Sequence, residues 1–324
     1  MDEPEAETHW LDQHRDVAKA AVVRSLAARV VAQHGGDLSR MRRALGASNA
    51  TWLGDGLAVR IVNTPVVDAM AAEVALVRAL PPEVGHPRIL AAGTIEGHDW
   101  ILTEEVRGQN LREAWPTLTR EERRRAIRQL WERVRVVHDA TLSLRAHVGS
   151  HAGFIPATTD DAAAAADRVS AAIGLTELQG SQLHEMIDGY FRAAPVVEQV
   201  VNHGDLALMN ALWDGEVVAL LDFEFALLGP WEIDLCRLVC ESLVPEDGQR
   251  SDPDAGAAAL AVAARHAHPV HGRALLQGAA VLDQLRDVEI WLARAEDRFG
   301  DWRPDRLLTG LLDADGGYLE RALA

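Results

Sequence analysis

Lysine is nearly missing from this chain: Lys19 is the single one among 32 basic residues, set against 49 acidic residues for a net charge of −17. Neutralising a phosphate backbone needs concentrated Lys and Arg, so that balance excludes nucleic acid as the expected partner. Cysteine is scarce too. Cys236 and Cys240 lie four apart and match neither a disulfide framework nor a zinc pattern, which makes them reduced residues of one helix core. No apolar run reaches membrane-spanning length. The acidic start, Met1-Asp2-Glu3-Pro4-Glu5, lacks the apolar stretch of a secretory signal or transit peptide, so a cytoplasmic protein is expected. There is no internal repeat, no disordered linker and no G-x-G-x-x-G.

With 324 residues and 48% hydrophobic content, the chain has ample core for one large or two medium domains. The acidity is uneven. From residue 201 onward there are 22 acidic and 10 basic residues, which keeps the protein soluble and, around an acceptor site, favours cationic substrates. His266, His268 and His271 cluster beside Pro269 and Gly272, a loop composition without a fourth metal ligand. Asn49-Ala50-Thr51 matches a glycosylation sequon, which carries no meaning in a cytosolic protein.

The chemistry concentrates in Asn202-His203-Gly204-Asp205, followed by Asn210 and then by Leu221-Asp222-Phe223. Phosphoryl transfer asks a protein for positioning and charge neutralisation. Asp205 can accept a proton from a substrate hydroxyl, while Asn210 and Asp222 offer the oxygen ligands that Mg²⁺ takes in small number from protein. Between them, residues 211 to 220 read as two short apolar strands joined at Asp214-Gly215, a hairpin that returns Asp222 toward Asn210. Taken singly, each Asp also suits a turn or strand end. Jointly, the set points to a kinase.

These motifs, with Gly229-Pro230 and Asp234-Leu235 after them, resemble the aminoglycoside phosphotransferase family, the choline-kinase-like branch of the protein-kinase-like fold. The resemblance implies an α+β, two-lobed fold: a small β-rich N-lobe over residues 1–106, which binds nucleotide, and a larger, mostly helical C-lobe over 107–324. It implies Asp205 as catalytic base, Asn210 and Asp222 as magnesium ligands, ATP or GTP as co-substrate, and His203 and Asp234 as structural braces of the catalytic loop. Adenine in the family hydrogen-bonds to linker backbone, here Glu104, Glu105 and Val106.

The order of elements agrees with that fold. Apolar residues at spacings of three and four predict a helix over 9–34, ended by Gly35-Gly36. A β-meander follows through 41–49, 51–53 and 57–62, then a helix over 66–80 containing Glu73, then strands over 88–94 and 100–105. The second lobe starts near Leu111. Its helices are expected over 120–138, 160–174, 176–198, 231–244, 255–267, 272–298 and 304–322. Ile127, Leu130, Trp131, Val134 and Val137 mark the buried face of the first.

Nucleotide kinases usually carry a strand Lys that meets phosphate and a helix Glu. Here the strand position holds Arg60, whose planar fork can contact phosphate and a carboxylate at once, with Glu73 as its partner. The phosphate-covering loop is expected at residues 46–51, where backbone amides and the Ser48 hydroxyl contact phosphates. Gly204 stands where regulated protein kinases have Arg, and the segment from Asp222 to the next helix is too short for an activation loop. A constitutive small-molecule kinase is therefore expected, acting on an antibiotic of the aminoglycoside or macrolide type or on a metabolite. Glu224, Asp283, Asp287 and Trp291 are its candidate acceptor contacts, although acidic residues on a helix are commonly a solvated face. Two other readings remain: a kinase for Ser or Thr of a biosynthetic precursor peptide working with a partner lyase, and a nucleotide-binding regulator without catalysis.

Overall fold

The computed structural model describes residues 17–44, 49–63, 70–149, 155–243, 253–293 and 303–312. Ser48 and the rest of the phosphate-covering loop up to it lie outside them. The chain divides into two compact units, Met1–Ala79 with His86–Arg107, and Leu80–Gly85 with Gly108–Ala324.

The first unit is a five-stranded antiparallel sheet with a helix on either face. In chain order its elements are α1 (Val17–Gln33), β1 (Arg42–Arg43), β2 (Asn49–Gly54), β3 (Leu57–Val62), α2 (Ala71–Ala79), β4 (Ile89–Ile95) and β5 (His98–Glu104), and the sheet order is β1-β2-β3-β5-β4. Val23, Leu26, Ala27, Val30 and Val31 of α1 bury against Trp52, Val59, Ile61 and Leu102, the strand residues that alternate toward that face. On the opposite face, Met70 and Val74 pack on Ile101. Two tight hairpins set the register. Asp55-Gly56 (φ 58° and 77°) and Glu96-Gly97 (φ 51° and 80°) have positive φ at both central positions, the turn whose twist matches that of paired strands. Because the second turn leads straight into pairing, β5 begins at His98, two residues before the expected start. Neither His98 nor Asp99 is solvated: His98 Nδ1 bonds Val62 O at 2.8 Å, and Asp99 accepts from Thr94 Oγ1 at 2.6 Å and Met70 N at 3.3 Å.

The second unit is mostly helical. It contains β6 (Gln109–Asn110), α3 (Leu111–Ala114), α4 (Arg120–Asp139), α5 (Thr141–Leu144), α6 (Thr159–Ile173), α7 (Glu177–Ala193), β7 (Val200–Asn202), β8 (Ala211–Trp213), β9 (Val217–Leu220), β10 (Leu227–Gly229), α8 (Glu232–Leu243), α9 (Pro253–His266), α10 (Gly272–Ala293) and α11 (Pro304–Leu311). A capping box of Thr119 and Glu122 starts α4, and all five of its expected core residues are buried. Thr176 and Gln179 start α7 the same way; α7 stops at Ala193 and a 3₁₀ turn containing Pro195 follows, where the periodicity alone suggested helix to 198. Leu80–Gly85 belongs here for local reasons: Arg133 donates to Glu83 O at 2.8 Å, and a Cβ on Gly85 would stand 2.2 Å from Val218 O. The long α10 packs against α6, α7, α8 and α11. A Cβ on Gly278 would meet Tyr190 Cβ at 2.3 Å, which is how α10 comes so close to α7. Among the described residues no helix is long and apolar enough to cross a membrane.

His266 ends α9 and is not in the loop. His268 and His271 stack with ring centroids 5.2 Å apart, and His268 Nδ1 accepts from Val270 N at 3.3 Å and His271 N at 3.1 Å. That nitrogen organises a turn. The thiols of Cys236 and Cys240 are buried, form no disulfide and lie 3.8 Å apart; their mutual hydrogen bond and burial push the Cys236 thiol well up, which keeps it unreactive.

Candidate active site

In the second unit the antiparallel pair β7–β10 presents the loop His203-Gly204-Asp205 at the end of β7. Gly204 has φ 83°, and a Cβ there would stand 2.1 Å from Phe225 O, so the loop requires glycine for both conformation and space. Beneath the loop lies Asp234, fully buried in the first turn of α8. Its Oδ2 accepts from His203 N at 2.9 Å and its Oδ1 from Gly204 N at 2.9 Å, while His138 Nε2 bonds Oδ2 at 2.8 Å. Two successive loop amides are therefore fixed by one carboxylate. His203 is buried as well, with Nε2 donating to Leu221 O at 2.8 Å, Nδ1 accepting from Asp205 N at 3.3 Å, and its ring against Phe223 at 4.4 Å.

Asn210 follows from a 3₁₀ turn, Leu208–Asn210. Its side-chain NH₂ donates to Asp205 O and to Asp205 Oδ2, both at 2.9 Å. That fixes the amide orientation, with the carbonyl Oδ1 taking no part in these bonds. The β8–β9 hairpin turns at Asp214-Gly215 with a register shift, and Leu221 N returns to Asn210 O at 2.8 Å. Asp222 thus follows directly on a residue tied to Asn210. Its φ of 63° is unusual for a residue other than glycine and concentrates local strain at this position. A carboxylate and an oriented amide carbonyl on connected loops are a donor set suited to Mg²⁺.

The other oxygen of Asp205 is held from α8: Arg237 Nη2 donates to Oδ1 at 2.6 Å, and Arg237 Nη1 donates to Asp283 Oδ2 on α10 at 2.8 Å. Burial works against ionisation of Asp205, but the charge of Arg237 and the hydrogen bonds from Arg237 and Asn210 outweigh it and hold the carboxyl below its ordinary value. Arg237 has no counterpart among the residues that the sequence motifs single out. Asp283 is not a solvated acid: it is 3% exposed and committed to Arg237.

One turn further along α10, Asp287 is partly buried, and burial followed by repulsion from Asp283 pushes its carboxyl up to about 8. Arg237 and Arg286 oppose that rise, and Asp205 adds to it. Its folded pKa exceeds the unfolded value near 4, so the folded state holds a proton that the unfolded state has released. The stability this contributes is complete below about pH 4 and is lost as pH rises through about 8, at up to about 1.4 kcal/mol per pH unit. Asp287→Asn should therefore flatten the curve. Urea denaturation from pH 5 to 8 is expected to show the wild type losing stability relative to the variant; parallel curves would contradict the elevated carboxyl. Trp291, another turn on, is buried, with the Arg303 guanidinium 5.6 Å from its ring centroid. Glu224 is partly buried after Phe223.

In the first unit, Arg60 and Glu73 form the expected strand-to-helix ion pair, with Glu73 only 5% exposed. Glu104, the last residue of β5, pairs with Arg88, which raises the Arg88 guanidinium and lowers the Glu104 carboxyl through their hydrogen bond. Glu105 N donates to Gly56 O at 2.9 Å and Glu105 Oε2 accepts from Gly56 N at 3.3 Å, and Val106 is partly buried.

Comparison with known proteins bears on the fold and the family. A fold match to the GDP complex of aminoglycoside 2'-phosphotransferase-IIIa has a TM-score of 0.65 at 16% identity, covering 89% of this chain and 97% of the other. The GDP and kanamycin complex of APH(2")-IIia matches with a TM-score of 0.63 at 16% identity, over 89% and 97%. A ternary complex of a thermostable mutant of aminoglycoside phosphotransferase APH(4)-Ia with ADP and hygromycin B matches at 0.59 and 16% identity, over 87% and 97%. No curated protein sequence matches. At these identities the shared property is the protein-kinase-like fold. The model of the Phosphotransferase enzyme family matches residues 40–272, which contain every part of the loop just described, and the chain belongs to that family.

Proposed function

We propose that this enzyme transfers the terminal phosphoryl group of ATP or GTP to a hydroxyl of a small molecule. The carrying observation is the joint geometry of Asp205 and Asn210. One amide group donates to the backbone carbonyl and to Oδ2 of Asp205, both at 2.9 Å, and keeps its carbonyl oxygen for a cation. In this reading Asp205 orients the acceptor hydroxyl and receives its proton as the oxygen attacks phosphorus. Asn210 and Asp222 hold Mg²⁺, which would neutralise charge on the nucleotide phosphates. Arg60, steadied by Glu73, meets a phosphate oxygen, and the backbone of Glu104 to Val106 meets the base. Glu224, Asp287 and Trp291 are the candidate acceptor contacts. The relatives crystallised with kanamycin and hygromycin B make aminocyclitol antibiotics the first acceptors to try.

Thermal melting with ATP and with GTP, each with and without Mg²⁺, tests the nucleotide half. A ligand at a hundred times its Kd stabilises by about 2.7 kcal/mol, so a clear Mg²⁺-dependent rise is expected in the wild type and its loss in Asn210→Ala and Asp222→Asn. Mass spectrometry after incubation with aminoglycosides, macrolides, amino alcohols and basic peptides tests the acceptor half. An unshifted melt together with no phosphorylated product would overturn the reading.

A further inference from the structure

Asp205 is held from both sides, and the second hold is the unexpected one. Asn210 takes Oδ2 from within the catalytic loop, whereas Arg237 takes Oδ1 from α8 and is itself tied at its other Nη to Asp283 on α10. The Arg237 side chain is 17% exposed, Asp205 15% and Asp283 4%, so the three charges form a largely dehydrated chain. Dehydrating a guanidinium and two carboxylates is costly unless they meet in good geometry, and a flat fork reaches two carboxylates through separate Nη groups in a fixed geometry that a single ammonium does not reproduce. With one donor fixed on each oxygen, the Asp205 carboxylate cannot rotate without breaking a charge-assisted bond. A carboxylate accepts about four hydrogen bonds, so these two leave capacity for an acceptor hydroxyl.

We propose that Arg237 is a positioning residue for phosphoryl transfer: anchored by Asp283, it locks the Asp205 carboxylate in the rotamer that receives the acceptor hydroxyl. This rests on the reading of Asp205 as the residue that meets the acceptor. It also gives Asp283 an internal task, so that an acid expected to contact substrate serves to hold the arginine instead.

The test compares Arg237→Ala, Arg237→Lys and Asp283→Asn with the wild type, with MgATP and MgGTP as probes and either the identified acceptor or water receiving the phosphoryl group. Misplacing a reacting group by about 1 Å can cost about a hundredfold. Arg237→Ala is expected to lower kcat on the order of 10- to 100-fold with nucleotide KM within about twofold. Arg237→Lys should stay low because one nitrogen cannot reproduce the two-pronged geometry of the fork, and Asp283→Asn should fall less. Millimolar guanidinium should restore part of the Arg237→Ala rate and leave wild type and Asp205→Asn unchanged. Unaltered kcat in Arg237→Ala, or a loss that guanidinium does not relieve, would overturn the proposal. If Arg237→Ala does not fold, a wild-type rate in Arg237→Lys would overturn it equally.

A second readout needs no turnover. The Asn210 side-chain NH₂ signals in a nitrogen-correlated NMR spectrum, assigned by their loss in Asn210→Ala, should shift or broaden in Arg237→Lys as Asp205 becomes free to rotate, and unchanged signals would sink the lock. Equal turnover by wild type and Asp205→Asn would instead refute the functional reading, leaving this spectrum to decide whether Arg237 orients the carboxylate.

Discussion

Asp205→Asn is expected to lower kcat for phosphoryl transfer by about 10²- to 10⁴-fold, the range for loss of a positioned general base. The substitution keeps the volume of the side chain but removes its charge, and the consequences differ at its two oxygens. At one, Arg237 loses a carboxylate partner at 2.6 Å; at the other, an amide NH₂ now competes with the NH₂ of Asn210. The variant amide can settle with its oxygen toward Arg237 or toward Asn210, but it cannot serve both. Neither orientation accepts a proton from an alcohol. Nucleotide binding should survive, because the proposed metal-holding groups are Asn210 Oδ1 and Asp222. The expected pattern is a large drop in kcat with a Mg²⁺-dependent melting shift still present. A variant that turns over acceptor at the wild-type rate would remove Asp205 from the chemistry.

Much of this site is legible in sequence, and the division between what is and is not follows sequence separation. The loop, the Asn five residues on and the hairpin that returns the Asp are local, so their spacing encodes their geometry through turn chemistry: Asn210 reaches back to Asp205, and the Leu221 amide reaches back to Asn210. Arg60 and Glu73 are legible for a related reason, since a strand followed by a helix leaves few ways to pair a strand Arg with a helix Glu. Arg237 is of the other kind. It touches residues 32 and 46 positions away, and nothing in the apolar pattern of α8 separates an arginine facing a catalytic loop from one facing water. Asp283 and Asp287 share the difficulty. An acid on a long helix reads as solvated, and only the packing of α10 against its neighbours reveals that one of them is spent on an internal ion pair. Strand and helix ends moved by a few residues wherever a turn or proline overrode periodicity, as at His98 and Ala193.

Asp234 carries the largest structural stake. Removing it in Asp234→Ala leaves the amides of His203 and Gly204 and the ring of His138 buried beside a void, and breaking a buried charged hub of this kind costs about 3–5 kcal/mol. Solvent cannot easily compensate. Asp234 and His203 are fully buried, and Trp131 packs edge-on against the His138 ring at 5.5 Å. Asp234→Asn is gentler in volume but turns an amide NH₂ toward the Gly204 amide or toward the His203 amide and His138 ring, where an acceptor is needed, so about 1–3 kcal/mol is expected. The loss should fall on the second unit, read as an earlier urea transition there, and should be accompanied by faster hydrogen exchange at the Gly204 amide. Gly204 cannot recover its position through another residue's side chain, because at φ 83° and with Phe225 O in the way the loop has one route. Catalysis is expected to fall with it, since Asp205 directly follows the two amides that Asp234 holds. An Asp234→Ala enzyme with native stability and a protected Gly204 amide would show that the loop is fixed by something other than this carboxylate.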